Sequence, residues 1–103
     1  MRRLTLLLVS LVLLSIQSVL AQSFSVKGTV VSAEDNEPMI GVTIMQEGTS
    51  NGVVTDIDGN YTLSGVKPSS VLVFSFIGYK TQEIPCSGRQ EINVVLSEDA
   101  QAL

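Results

Sequence analysis

The feature that most limits the fold of this chain is the shortness of its apolar runs after position 23. Each run is followed closely by glycine, proline, asparagine or aspartate. The longest run, Val71–Phe76, has six residues, which suits a strand inside a sheet and is too short for a helix. Phe24–Val31 alternates apolar and polar residues with the period of two that marks a half-buried strand. This pattern predicts an all-β chain.

The spacing of the runs predicts seven short strands, as in a β-sandwich. They are expected at residues 24–31, 42–45, 53–55, 61–63, 71–76, 80–84 and 91–96. Turns are expected over residues 47–52, where Asn51-Gly52 is a strong hairpin signal, and at Asp58-Gly59. Gly78 is expected to form a bulge or corner. Ser97–Leu103 is polar and is expected to be frayed.

If these strands pack as two sheets, their inward residues form the core. The predicted core consists of Val26, Val30, Val42, Ile44, Val54, Tyr61, Leu63, Leu72, Phe74, Phe76, Ile92, Val94 and Leu96. The choice of face on Val71–Phe76 is the least constrained, because a slip of one residue moves every side chain to the other face.

Residues 1–21 have the layout of a secretory signal peptide. Two arginines precede the apolar stretch Leu4–Ile16, and short side chains lead up to Ala21. We predict cleavage between Ala21 and Gln22. A membrane anchor is the alternative, but a span needs about 20 apolar residues. Leu4–Leu20 offers seventeen residues, several of them polar, so the signal peptide is favoured.

Charge after cleavage argues against a nucleic-acid partner. Removal of 21 residues from the 103 leaves 82, which is one domain at most. Basic residues fall from six to four while all ten acidic residues remain, so the net charge becomes −6. Phosphate binding requires clustered lysine and arginine, and the remaining basic residues are scattered. No nucleic-acid partner is therefore expected.

The chain lacks the residue types that most often form an enzyme active site or a zinc site. It has no histidine and one cysteine, which removes the commonest general base and the usual zinc ligands. Asp56–Asn60 groups oxygen ligands, but a calcium loop needs Gly at its sixth place and Glu at its twelfth, where this chain has Tyr61 and Lys67. We interpret this segment as a hairpin turn with an aspartate capping backbone N–H groups. No catalytic, cofactor-binding or metal-binding residue is assigned, and no cofactor is expected.

Five side chains remain as candidates for function. Cys86 can form an intermolecular link or act as a reactive thiol, but without an activating histidine we favour a small semi-buried side chain in a turn. Glu34, Asp35 and Glu37 form an acidic patch that can meet a basic partner, although a solvated loop is favoured. Tyr79 can present an exposed ring to a partner or close the open end of the sandwich. The acidic patch and Tyr79 are the candidate interaction surface.

Five segments carry a resemblance to a known family: Val26–Val31, Glu37–Ile44, Gly48–Gly52, Thr55–Leu63 and Phe74–Glu83. In this order and spacing they resemble the carboxypeptidase-regulatory-like domain at the N-terminus of SusC/RagA-type TonB-linked outer-membrane receptors. The resemblance covers nearly all of residues 24–96 and implies a transthyretin-like β-sandwich in the periplasm of a Bacteroidetes-type bacterium. The domain is then expected at residues 22–97, with residues 98–103 as a tail that would lead to the TonB box.

In that family the domain precedes a plug and a large barrel that import glycans or peptides, usually with a surface lipoprotein partner. The resemblance implies a non-catalytic periplasmic domain of a nutrient receptor that acts in protein interaction or in regulation of uptake. Its expected partner is the receptor barrel or another outer-membrane or periplasmic protein, with no direct small-molecule substrate. Neither plug nor barrel is expected after Leu96, so the alternative is a stand-alone periplasmic binding module. An enzyme is disfavoured, because no nucleophile–base pair is visible.

Overall fold

The computed structural model describes residues 24–100, and within this range every regular element is a strand. The strands are β1 (Phe24–Ser32), β2 (Thr43–Gln46), β3 (Gly52–Val54), β4 (Asn60–Val66), β5 (Val71–Ser75), β6 (Gln82–Pro85) and β7 (Val94–Leu96). The predicted seven-stranded all-β fold is confirmed. The observed β4 is longer than predicted and β7 is shorter. The predicted cleavage site at Ala21 and Gln22 lies outside the described residues.

The strands form two sheets. One has three strands in the order β4-β1-β7, and the other has four in the order β3-β2-β5-β6. β1 pairs with a different strand along each part of its length: Phe24–Thr29 pairs antiparallel with β4, and Val30–Ser32 pairs parallel with β7. All pairs in the four-stranded sheet are antiparallel. The long β1 therefore holds the smaller sheet together.

The core lies between the two sheets and is built from alternate residues of the strands. Phe74 is fully buried at its centre and packs edge-to-face on Tyr61, with ring centroids 5.5 Å apart. The Tyr61 hydroxyl donates a hydrogen bond to the Ile92 carbonyl oxygen over 2.6 Å, so its burial leaves no polar group unsatisfied. Burial, reinforced by the nearby Cys86, raises the pKa of Tyr61 to about 12.

Two predicted core residues lie elsewhere. Val54 is 62% exposed, because it pairs with Thr43 on the outer face of the four-stranded sheet. Phe76 is only partly buried, since β5 ends one residue earlier and the chain turns there. The predicted inward face of β5, carrying Leu72 and Phe74, is confirmed.

Three buried hydrophobic residues were missed by the strand pattern: Met39, Val66 and Cys86. Met39 and Cys86 lie in loops, where no period of two applies, and Val66 ends a strand longer than the one predicted. Loop residues thus contribute to a core that strand periodicity alone describes incompletely.

The hairpin between β2 and β3 turns at a different place from the one the Asn-Gly pair indicates. Gly52 already belongs to β3 and pairs with Met45. The chain reverses earlier, where the Thr49 N–H donates to the Gln46 carbonyl oxygen and Gly48 has a φ of 77°. The prediction of a turn within residues 47–52 is confirmed, and the glycine with a left-handed backbone is Gly48 rather than Gly52.

The segment after β7 does not fray at once. The Lys80 N–H donates to the Ser97 carbonyl oxygen, and the Asp99 N–H donates to that of Gly78, both over 2.9 Å. Ser97–Asp99 therefore runs beside the turn at Gly78, which forms the predicted corner with a φ of 85°. The expectation of fraying is wrong for these three residues.

Candidate interaction surface

The acidic patch lies on the loop that follows β1. Glu34, Asp35 and Glu37 are all exposed. The Ser32 hydroxyl donates to the Glu34 carboxylate and lowers its pKa below the usual value. The Asp35 carboxylate accepts a hydrogen bond from the Glu37 N–H over 3.0 Å. Two of the three carboxylates thus shape their own loop while remaining open to solvent.

Tyr79 lies at the corner between β5 and β6. Its N–H donates to the Phe76 carbonyl oxygen over 3.0 Å, which closes a tight turn. Its ring packs edge-to-face on Phe76, with centroids 5.7 Å apart, and covers the edge of the core. Tyr79 is therefore half-buried and packs at the edge of the core, while its contact with a partner stays a prediction.

The same turn carries an exposed apolar side chain that the sequence reasoning missed. Ile77 is 91% exposed, more than the other large hydrophobic side chains of the described residues. The glycine directly after Ile77 was a local signal for a turn at this position, because a residue at the tip of a tight turn projects into solvent. Ile77, rather than Tyr79, is the apolar group most available for contact at this corner.

The segment after β7 connects the corner with the acidic loop. Glu98 forms a β-bridge with Tyr79, and its N–H lies 3.3 Å from a carboxylate oxygen of Glu34. The structure therefore brings Tyr79 and Glu34 to one end of the sandwich, on either side of Glu98. The resulting surface includes the exposed Ile77, several carboxylates and one basic residue, Lys80.

The turn at Asp56 has the predicted capping geometry. Its carboxylate accepts hydrogen bonds from the N–H groups of Asp58 and Asn60, over 3.0 and 2.9 Å. Gly59 completes the turn with a φ of 75°, and an added Cβ there would lie 2.7 Å from the Val30 carbonyl oxygen. The predicted aspartate cap is confirmed, but the turn is not a hairpin, because β3 and β4 belong to different sheets. Across residues 24–100, no three potential metal-ligating side chains are grouped closely enough to hold an ion.

Cys86 is the first residue of the loop that follows β6, and it is fully buried. Burial raises the pKa of its thiol, and the nearby Arg89 offsets this only in part. A buried thiol with a raised pKa has little thiolate at neutral pH and reacts slowly. The geometry favours the structural interpretation of this cysteine, with deeper burial than expected.

The described residues define a small β-sandwich domain, and no helix among them is long and apolar enough to cross a membrane. Residues 26–103 match the family described as CarboxypepD_reg-like domain. This match spans most of the chain, and the chain belongs to that family. The resemblance identified from the sequence motifs is thereby confirmed.

The chain is similar in sequence to parts of TonB-dependent receptors. The chain is 47% identical over 83 residues to TonB-dependent receptor P39 of Formosa agariphila, covering 81% of this chain and 8% of the relative. It is 40% identical over its whole length to TonB-dependent receptor SusC of Bacteroides thetaiotaomicron, covering 10% of that protein. The chain thus spans about a tenth or less of the length of these relatives.

A solved structure shares the fold. It is an interface mutant of a type II cohesin–X–dockerin complex from Acetivibrio cellulolyticus, matched with a TM-score of 0.60 over 73% of this chain and 58% of that chain. The sequence identity is 19%, so this likeness concerns the fold alone.

Proposed function

We propose that this chain is the periplasmic N-terminal domain of a SusC-type TonB-dependent outer-membrane nutrient receptor, and that it acts by protein contact rather than by catalysis. The observation that carries this proposal is the 40% identity to SusC over the whole chain, together with the small share of that receptor it covers. A domain of this size next to a much larger transport unit is placed to bind partners or regulate uptake.

The chemistry of the described surface supports a non-catalytic role. The buried hydroxyl of Tyr61 is hydrogen-bonded to a backbone carbonyl, and the thiol of Cys86 is enclosed. The exposed groups at this end of the sandwich include several carboxylates and Ile77, beside a single basic residue, Lys80, and they suit contact with a largely basic or apolar surface of another protein. We propose that Ile77, Tyr79 and the Glu34–Glu37 loop form this contact, with the receptor barrel or another periplasmic protein as partner.

An immunoblot of fractionated native cells, with antibody raised to residues 24–100, tests the receptor proposal. A species about ten times the mass of this chain in the outer-membrane fraction is expected, since the chain covers 8–10% of its relatives. A band smaller than the 11.0 kDa full chain in the soluble periplasmic fraction, as expected after removal of residues 1–21, would instead indicate a stand-alone binding module.

Site-specific photo-crosslinking tests the contact surface in the same cells. A crosslinker at position 77 is expected to capture a defined partner. Lys67 is the control, because it is exposed in the loop before β5, at the opposite end of that strand from the Tyr79 corner. Equal crosslinking from both positions would refute the assignment of this end of the sandwich.

A further inference from the structure

The two sheets end in four edge strands: β4 and β7 in one sheet, β3 and β6 in the other. An edge strand presents a row of backbone N–H and C=O groups that can pair with another chain. Within residues 24–100, this chain itself blocks or occupies some outward groups on three of the edges and none on the fourth.

The edge of β4 is occupied at both ends. Asn60 exchanges hydrogen bonds with Asp56: its N–H donates to the Asp56 carboxylate over 2.9 Å, and its carbonyl accepts from the Asp56 N–H over 3.0 Å. Near the other end, the Asn51 side-chain amide donates to the Ser64 carbonyl oxygen over 2.8 Å. These bonds occupy both ends of the edge and leave Thr62 between them as its unengaged outward residue.

The edge of β7 is covered from the neighbouring sheet. The Gln82 side-chain amide donates to the Val95 carbonyl oxygen over 2.6 Å, and the Lys80 N–H donates to Ser97 just beyond the strand. These bonds also close one side of the sandwich, because Gln82 belongs to β6.

The edge of β6 is blocked by proline. The Cys86 N–H donates to the Ser70 carbonyl oxygen, so Cys86 is bonded to the chain beside β5. Because bonded and unbonded residues alternate along the β5–β6 pair, the backbone groups of Glu83 and Pro85 point outward. Pro85 has no N–H, and its carbonyl oxygen accepts a hydrogen bond from the Arg89 guanidinium over 2.6 Å. Proline and charge at an edge are the usual protection against strand addition.

The edge of β3 has no such protection. The Gln46 N–H donates to the Asn51 carbonyl oxygen, and the Thr55 N–H donates to the Val42 carbonyl oxygen, so Asn51 and Thr55 are bonded to β2. Because bonded and unbonded residues alternate along an antiparallel pair, the backbone groups of Gly52 and Val54 point away from β2. None of the hydrogen bonds found within the described residues engages these outward groups. Both residues are exposed, and β3 carries no charge.

The side chains beside this edge form an apolar strip on the outer face of the sheet. Val54 is 62% exposed, and Met45 lies over Gly52, where an added Cβ would come within 2.1 Å of the Met45 sulfur. Val73, the register partner of Met45, continues the strip onto β5. Apolar residues on one side of an added strand would therefore cover surface that is now open to water.

Acidic residues flank the edge at both ends. Glu47 lies in the loop before β3, and Asp56 and Asp58 lie in the turn after it, all three exposed. Positions 24–100 together hold ten acidic and four basic residues. A second copy of this chain paired along β3 would bring like charges together, whereas basic residues at the ends of a partner segment would complement them.

We propose that the outer edge of β3 binds an extended segment of a partner protein by strand addition. The segment carries alternating apolar residues on the side of Val54 and Met45, and lysine or arginine at its ends. This proposal rests on the proposed role as an interaction domain and adds to it a second surface with a defined recognition mode.

The test uses the peptide acetyl-Lys-Lys-Val-Thr-Val-Thr-Val-Lys-Lys-amide, titrated into isotope-labelled protein and followed by NMR. The amide resonances of Gly52 and Val54 are expected to shift, and their protons to become protected against hydrogen exchange. Val54→Pro removes one outward N–H without removing a bond of the native ladder, so binding is expected to weaken about tenfold.

The matched control is Glu83→Pro, which removes an outward N–H from the opposite edge of the same sheet. It is expected to leave peptide binding unchanged. A peptide methylated on the backbone nitrogens that face β3 is expected not to bind the unaltered protein, which keeps the test valid if Val54→Pro does not fold. Binding that survives methylation, or that both proline variants weaken equally, would overturn the proposal.

Two further outcomes would also overturn it. One is the absence of any peptide binding by the folded protein. The other is concentration-dependent dimerisation that Val54→Pro abolishes, which would assign the edge to a second copy of the chain. Either result leaves the receptor proposal standing if the large outer-membrane species is found, whereas a small soluble species with peptide binding intact would refute only the receptor proposal.

Discussion

Replacement of Gly28 by alanine is expected to be among the most destabilising small substitutions in this domain. Gly28 lies within β1 and has an ordinary strand conformation, so backbone freedom is not the reason. The segment before β7 is held against β1 by two hydrogen bonds of Lys27, one to Gln90 and one from Ile92. The Ile92 carbonyl therefore lies directly over the glycine.

The magnitude follows from the space that is missing. A Cβ at position 28 would lie 1.8 Å from the Ile92 carbonyl oxygen and 2.7 Å from its carbon. Ordinary contact needs more than 3 Å, and the blocking atoms are backbone, so the segment must move by more than an ångström. That movement also disturbs the hydrogen bond from the Tyr61 hydroxyl to the same oxygen. Overpacking with loss of a buried hydrogen bond costs about 3 kcal/mol or more.

Thermal and urea unfolding measure this cost. About 3 kcal/mol corresponds to a fall in Tm of roughly 12–24 °C for a domain of this size. Gly48→Ala is the control, because no atom lies within 4 Å of an added Cβ there and only its φ of 77° opposes alanine. That strain costs about 1–2 kcal/mol. If Gly28→Ala unfolds no more readily than Gly48→Ala, the close approach of the two backbones is refuted.

Three further predictions concern the core. Phe74→Ala is expected to lower the free energy of unfolding by about 3–5 kcal/mol. Phe76→Ala is expected to lower it by less than half as much, because Phe76 is only partly buried. Equal losses in urea unfolding would contradict the burial of Phe74 in the core and the partial exposure of Phe76. Burial raises the pKa of Tyr61 from 10.0 to about 12, so its neutral hydroxyl stabilises the folded state fully below pH 10, and about 2–3 kcal/mol of the free energy of unfolding is lost between pH 10 and 12. Tyr61→Phe should remove this part of the pH dependence of the free energy of unfolding. An unchanged dependence on pH would disprove the assignment to Tyr61. Cys86 should react with a thiol reagent much more slowly in the native protein than in urea, and rapid native labelling would show that the thiol is accessible.

Part of the candidate surface follows from local sequence. The acidic patch is visible as three carboxylates within four positions, and the structure places all three on an exposed loop. The contact between Glu98 and Glu34 could not be predicted, because it depends on β7 lying parallel to β1 and carrying the chain back to that loop. Ile77 was missed because residue type alone does not separate a buried isoleucine from one at the tip of a turn.

The sequence by itself determined what short-range physics controls: the number of strands, the inward faces of β1 and β5, and the aspartate-capped turn at Asp56. These depend on a period of two and on turn residues within a few positions of one another. Tertiary structure decided which strands lie at the edges. It placed Val54 on the outer face, buried Cys86 in the core, and brought Ile92 against Gly28. Each of these features depends on how segments far apart in the chain pack together, and strand order, not local pattern, fixes that packing.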